Sequence, residues 1–226
     1  ATEYIRALIR SDSNIKPMTV KRHKAGYHDR NLYQNIASAT KLREMNRNNE
    51  NINDFIPYKL EDINCDIPYD ISNLDSAIIS KLRLMTAEEL QNISEVTEGI
   101  ENRILSSANM SYSFETLVEN VKNKRYTTSK IRRMIISALI GFTKDIYSPM
   151  PQYIRILGMN KVGMKILKQA KDTCKVPIIT KTADFKEQSP QFNLDVRATN
   201  IAMLCNPIPT HRIGNADLKK SPIIMK

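Results

Sequence analysis

The 226-residue sequence predicts an α+β chain that is mostly α. Two observations carry that class. Between residues 73 and 143 apolar side chains recur at three- and four-residue steps, the period of helices that bury one face. From Tyr153 the period changes: Tyr153-Ile-Arg-Ile-Leu157 and Val176-Pro-Ile-Ile-Thr180 are strand-like and flank an amphipathic stretch from Lys161 to Thr173. That strand–helix–strand order has the length a parallel crossover needs, so a small β unit is expected beside the helices.

Taken in order, Thr2 to Ile9 reads as a helix with no cap before it. Met18 to Arg22 alternates around β-branched residues behind Pro17 and predicts a short strand. Gly26 and Asp29-Arg30-Asn31 then make a loop. Ser38 and Thr40 precede Leu42 and Met45, where hydroxyl caps can open a helix. An Asn-rich loop follows from 46 to 53, and Pro57 and Pro68 hold their neighbours extended. Residues 49–72 are therefore expected to link a first part, 1–48, to a second, 73–226.

The second part should open with five helices. Leu74, Ile78, Leu82 and Met85 line the first; Thr86-Ala-Glu-Glu89 is a capping box opening the second. Glu98 to Ser107 gives the third. Ser113 caps the fourth, which bears Phe114, Leu117, Val118 and Val121. Ile131, Met134, Ile135, Ala138, Leu139 and Phe142 line the fifth, capped by Thr128 or Ser129. Asn193 to Leu204 suggests another helix, and the tail from 206 to 226, with three prolines, an extended strap.

Composition narrows the function. Lys and Arg number 34 against 24 Asp and Glu, and the resulting +10 favours a polyanion, nucleic acid before an anionic membrane. No run of eighteen apolar residues and no signal peptide occurs, so a cytoplasmic chain is expected. Cys65, Cys174 and Cys205 are odd in number and far apart, which fits reduced thiols better than a disulfide frame or a metal motif. No Gly-x-Gly-x-x-Gly or Gly-Lys-Ser/Thr loop supplies a self-contained dinucleotide or P-loop site. No nucleophile–His–carboxylate set can be placed.

Two constellations remain. A helix start with Ser38 and Thr40, followed one turn on by Arg43, can hold a phosphate: free amides and the dipole favour an anion, and the guanidinium closes the far side. An ordinary capped helix with a solvated Arg43 is the plainer alternative. The second constellation runs from Lys122 to Arg133 and holds six cations (Lys122, Lys124, Arg125, Lys130, Arg132 and Arg133) and no acid. Read as first-turn residues, the last three each cost about 0.3–1 kcal/mol against the helix dipole, which favours an external anion such as a sugar–phosphate backbone. Tyr126 could stack on an unpaired base or pack on the core. Lys21, Arg22 and Lys24 could extend the positive surface. His28 with Asp29 is a weak acid–base candidate, because adjacent residues on an extended segment point apart.

Ala37-Ser-Ala-Thr-Lys-Leu-Arg43 resembles the Ile-Ser-Ser-Thr-x-Ile-Arg motif that closes the nucleotide site of HIGH-type nucleotidyltransferases. Together with Lys21-Arg22, Gly26-Tyr-His-Asp29 and Ile36-Ala-Ser-Ala-Thr40, it resembles the bacterial tRNA(Met) cytidine acetate ligases, and the similarity continues through residues 122–127 and 153–158. The resemblance implies ATP-dependent activation of acetate as acetyladenylate, then acetyl transfer to N4 of the wobble cytidine of elongator tRNA(Met). It sets Arg22, His23, Ser38, Thr40 and Arg43 beside ATP. It also implies the edge of a Rossmann-like nucleotidyltransferase domain in 1–48 and a helical tRNA-binding domain in 73–226. That family opens with a His-x-Gly-His-type motif, and none of His23, His28 and His211 lies in one. The expectation is therefore a C-terminal portion lacking the HIGH half, with no catalytic residue of its own, able to bind tRNA but inactive alone. Any magnesium would belong with that half. Two alternatives stay open: an RNA-binding module without catalysis, and a nucleotidyltransferase acting on a small metabolite.

Overall fold

The computed structural model describes residues 2–21, 23–26, 29–57, 69–97, 99–147, 150–186 and 189–225. The chain divides into two compact units, Ala1–Pro68 and Tyr69–Lys226.

The first unit holds helix α1 (Thr2–Arg10), a two-stranded antiparallel hairpin of β1 (Leu32–Tyr33) and β2 (Ile36–Ala37), and helix α2 (Ala39–Arg47). Helix α1 buries none of its side chains. The strand expected at Met18–Arg22 does not form over the described residues 18–21. Met18 and Val20 are both 89% exposed, and without a neighbouring ladder their β propensity has nothing to act on. Arg22 lies outside the described residues. The strand pairing among the described residues of this unit, β1 with β2, is antiparallel and local.

The second unit is built around helices α3 (Asp75–Leu84), α4 (Ala87–Gln91), α5 (Ile100–Met110), α6 (Phe114–Val121) and α7 (Thr128–Ile140). Their stripes meet in one core in which Ile78, Leu90, Ile104, Leu117, Ile131 and Met134 are fully buried. The capping boxes form: Thr86 with Glu89, and Ser113 with Thr116. The cap of α7 is Thr127, one residue before the expected pair. Glu98, expected to open α5, lies outside the described residues.

Three arginines close the far ends of these helices. Arg83 donates to the carbonyls of Ala108, Asn109 and Ser111 at the end of α5. Arg103 does the same for Asn120, Val121 and Lys122 at the end of α6. Arg197 reaches the Ile140 carbonyl of α7, beside the left-handed Gly141. Each satisfies carbonyls that have no partner within their helix and opposes the negative end of its dipole.

Beyond the helices, β3 (Ile154–Arg155) pairs in parallel with β5 (Ile178–Ile179) across helix α8 (Lys161–Thr173), the expected strand–helix–strand unit. Strand β4 (Gly158–Met159) pairs in parallel with β6 (Ile223–Ile224). A Cβ at Gly158 would stand 3.2 Å from the Ile223 carbonyl, so this close approach favours glycine. Helix α9 (Pro190–Met203) starts three residues before the expected Asn193, because Ser189 caps it and Pro190 fits its first turn. The tail is not a plain strap. It folds into helix α10 (Ala216–Lys219) and β6, fixed by the Arg155–Asp217 ion pair. Arg212 ties it back to the start of the unit through Asn73.

Candidate functional site

In the first unit the expected phosphate grip is the start of α2. Ser38 is its N-cap and is 3% exposed. The Ser38 hydroxyl accepts from the Lys41 amide at 3.1 Å and donates to the Asp29 carbonyl, so its one proton is spent inside the fold. The amides of Ala39 and Thr40 donate to nothing among the described residues and lie at the positive end of the dipole. Arg43 is exposed on the same helix with no ion pair among the described residues, whereas Lys41 lies 4.0 Å from Glu44. The arrangement therefore offers an anion two amides, the half-buried Thr40 hydroxyl and the Arg43 guanidinium.

The loop before α2 is held by Asp29. Its carboxylate accepts from the Asn31 amide at 3.0 Å and the Tyr33 hydroxyl at 2.8 Å, and these bonds hold it below the usual carboxylate range. Asp29 is thus a loop organiser, a role its place beside His28 did not signal; His28 itself lies outside the described residues. Lys21 and His23 are exposed, and Lys24 reaches Gln34 in the hairpin turn at 3.4 Å.

In the second unit the basic run splits into two groups. Lys122 pairs with Glu119 at 3.4 Å, Arg132 with Glu115, and Arg133 with both oxygens of Glu95 at 2.9 and 3.0 Å. With Thr127 as cap, Arg132 and Arg133 fall in the second turn, so the expected first-turn placement holds only for Lys130. Lys124, Arg125 and Lys130 have no carboxylate partner among the described residues. Two of them flank Tyr126: Lys130 lies 5.1 Å and Arg125 5.4 Å from its ring centre. The Tyr126 ring packs partly against the core and its hydroxyl meets that of Thr97. The remaining free charge of the run is three cations, two of them beside one tyrosine.

Sequence reasoning missed two polar groupings of the second unit. The Tyr153 hydroxyl donates to Asp195, and burial together with that carboxylate pushes the phenol above its ordinary value. Asp217 binds Arg155 and accepts from the Thr199 hydroxyl at 2.6 Å. These residues are dispersed over 65 positions of unremarkable sequence, from 153 to 217, and share no spacing pattern. Among the described residues no cluster of three or more His, Cys, Asp or Glu could hold a metal ion, and no helix is long and apolar enough to cross a membrane.

Comparison with known proteins gives this geometry a context. The chain is 34% identical over 253 residues to the tRNA(Met) cytidine acetate ligase of Thermosipho africanus, matching 99% of this chain and 60% of that protein. It is 33% identical over 236 residues to the enzyme of that name from Clostridium botulinum Loch Maree, again over 99% of this chain and 56% of that protein. The chain thus spans somewhat over half the length of these relatives. Among solved structures it matches Thermotoga maritima TmcAL in its apo form, with TM-score 0.84, 29% identity and coverage of 99% of this chain and 59% of that one. It also matches TmcAL bound with alpha-thio ATP, with TM-score 0.81, 28% identity and coverage of 99% and 58%. The model of the family described as HIGH Nucleotidyl Transferase matches residues 1–217, which gives no support to the expectation of a C-terminal portion lacking the HIGH half. The chain belongs to the HIGH nucleotidyltransferase family.

Proposed function

We propose that the chain works in ATP-dependent acetylation of tRNA(Met): acetate is activated as acetyladenylate and its acetyl group passes to N4 of the wobble cytidine. The observation that carries this reading is the 34% identity to a tRNA(Met) cytidine acetate ligase along 99% of the chain. The structure of a similar protein with an ATP analogue supports a nucleotide site. In this reading the start of α2 receives the ATP phosphates. Ala39 and Thr40 offer amides, Arg43 offers charge, and Ser38 holds the helix start in place. Arg22 and His23 flank the nucleotide, as the family resemblance implies. Attack of acetate on the α-phosphorus expels pyrophosphate, and fixed cations and amides stabilise the charge that develops. No covalent nucleophile from the protein is needed, because positioning supplies much of the barrier reduction.

The Lys124, Arg125 and Lys130 group takes the tRNA backbone, with Lys21 and Lys24 binding further phosphates. Lys122, Arg132 and Arg133 shape that surface through their carboxylate partners. Residues 1–68 then serve the nucleotide and, through Lys21 and Lys24, part of the tRNA, while residues 69–226 serve the tRNA alone.

The test is direct. The purified chain is incubated with ATP, radiolabelled acetate and tRNA(Met), and its affinities for ATP and for tRNA are measured alongside. ATP binding that is lost in Arg43→Ala, with tRNA binding retained, is the expected result. A chain that binds neither ATP nor tRNA(Met) overturns the reading.

A further inference from the structure

A cavity of about 210 Å3 lies where three segments of the second unit converge. Leu157 follows the carboxyl end of β3, Thr180 and Thr182 follow that of β5, and Lys220 and Ser221 lead into β6. The carboxyl ends of parallel strands are where open α/β sheets place ligands, since the chain diverges there and leaves a crevice.

Its lining sets hydroxyls and cations beside the apolar Ile156, Leu157, Pro222 and Ile223. Thr182 is 4% exposed, yet its hydroxyl makes no hydrogen bond to any described residue. The hydroxyls of Thr180 and Ser221 are likewise unused among the described residues. Among the described residues the buried side-chain oxygen left without a partner is Glu101 Oε2, so the Thr182 hydroxyl keeps access to the cavity and can bond what enters it. Two cations line the same space, Arg155 and Lys220. The Arg155 guanidinium is committed to Asp217, while Lys220 is exposed and forms no ion pair among the described residues. Among the described residues no carboxylate lines the cavity. Its volume is several times the roughly 30 Å3 share of one water and below the about 300 Å3 at which sites for whole small molecules begin. The occupant that fits is small, anionic and rich in acceptors.

We propose that this cavity binds a phosphate group, with Thr180, Thr182 and Ser221 donating hydroxyl hydrogen bonds and Lys220 supplying the charge. The assignment stands apart from the ligase reading, since it draws on no residue used there. Two sources share the chemistry: a free phosphate and a phosphate of an RNA backbone.

The full chain is titrated with inorganic phosphate by calorimetry and by phosphorus NMR. Saturable binding is expected, weakened about tenfold by Thr182→Val and by Lys220→Ala, as for loss of one hydrogen bond to a charged group, and retained in Thr182→Ser. Lys168→Ala, exposed on α8, should leave it unchanged. A circular dichroism melt checks each variant, and if Thr182→Val fails to fold, the exposed Lys220 carries the test. A single-stranded RNA is then titrated with and without phosphate. Competition that disappears in Lys220→Ala supports the site with RNA as the source, and RNA binding indifferent to phosphate supports it with free phosphate as the source. Absence of saturable phosphate binding, or equal affinity in wild type and Lys220→Ala, overturns the proposal.

Discussion

Arg155 grips Asp217 through two parallel hydrogen bonds, Nη2 to Oδ1 at 2.8 Å and Nη1 to Oδ2 at 3.0 Å, joining strand β3 to the tail. The Thr199 hydroxyl adds a third donor to Asp217. Arg155→Met leaves this nearly buried carboxylate without its cation and should destabilise the second unit by about 3 kcal/mol, read from urea unfolding. A loss below about 1 kcal/mol would show that the tail holds without the pair.

The same pair sets a pH dependence. Arg155 and then Thr199 hold the Asp217 carboxyl below its ordinary value near 3.8, against the opposing effect of burial. A carboxyl whose folded value is depressed contributes stability that is fully present above its unfolded value and is lost as pH falls through the folded one. Unfolding midpoints measured downward from about pH 4 should therefore fall more steeply in wild type than in Asp217→Asn. Parallel curves would remove Asp217 from the acid response.

Ser38→Ala removes both the α2 cap and the hydroxyl that donates to the Asp29 carbonyl. Loss of the cap alone is worth about 1 kcal/mol. Amide exchange of residues 39–45 should quicken, while exchange within α5 and α6 should not. Unaltered exchange along α2 would mean that the hairpin, and not the cap, fixes the helix start.

The split in the basic run predicts two kinds of variant. Charge reversal at Lys124, Arg125 and Lys130 should weaken tRNA binding and lower the slope of log affinity against log salt by about one for each phosphate no longer neutralised. Reversal at Arg132 or Arg133 sets two negative charges together against Glu115 or Glu95, and should act first on thermal stability. Equal effects on tRNA affinity from the two groups would refute the division.

Arg103→Met strips three carbonyls at the end of α6 of their donor while leaving a similar apolar stem. The expected cost is about 2 kcal/mol by chemical denaturation. Full retention of stability would show that water replaces the guanidinium without loss.

Much of the second unit was legible in the sequence because its helices are amphipathic. The stripe from Ile131 to Ala138 and the hydroxyls of Thr86 and Ser113 are local signals, and local hydrogen bonds and one-sided burial answer them. The strand at Met18–Arg22 failed for the opposite reason: a strand exists through its neighbour, and residues 18–21 have none among the described residues. The same holds for β6, whose partner lies 65 residues away at Gly158 and Met159, so Ile223 and Ile224 gave no warning of a strand.

By itself, then, the sequence determined the helical core, its caps, the surplus of positive charge and the hydroxyl-led start of α2, since each depends on residues within a turn or two. Only the tertiary structure decided how that charge is used. Carboxylates distant in the chain neutralise Arg132, Arg133 and Arg155, and carbonyls at helix ends absorb Arg83, Arg103 and Arg197. Long side chains find partners through space, and no spacing rule along the chain anticipates which cations are left free.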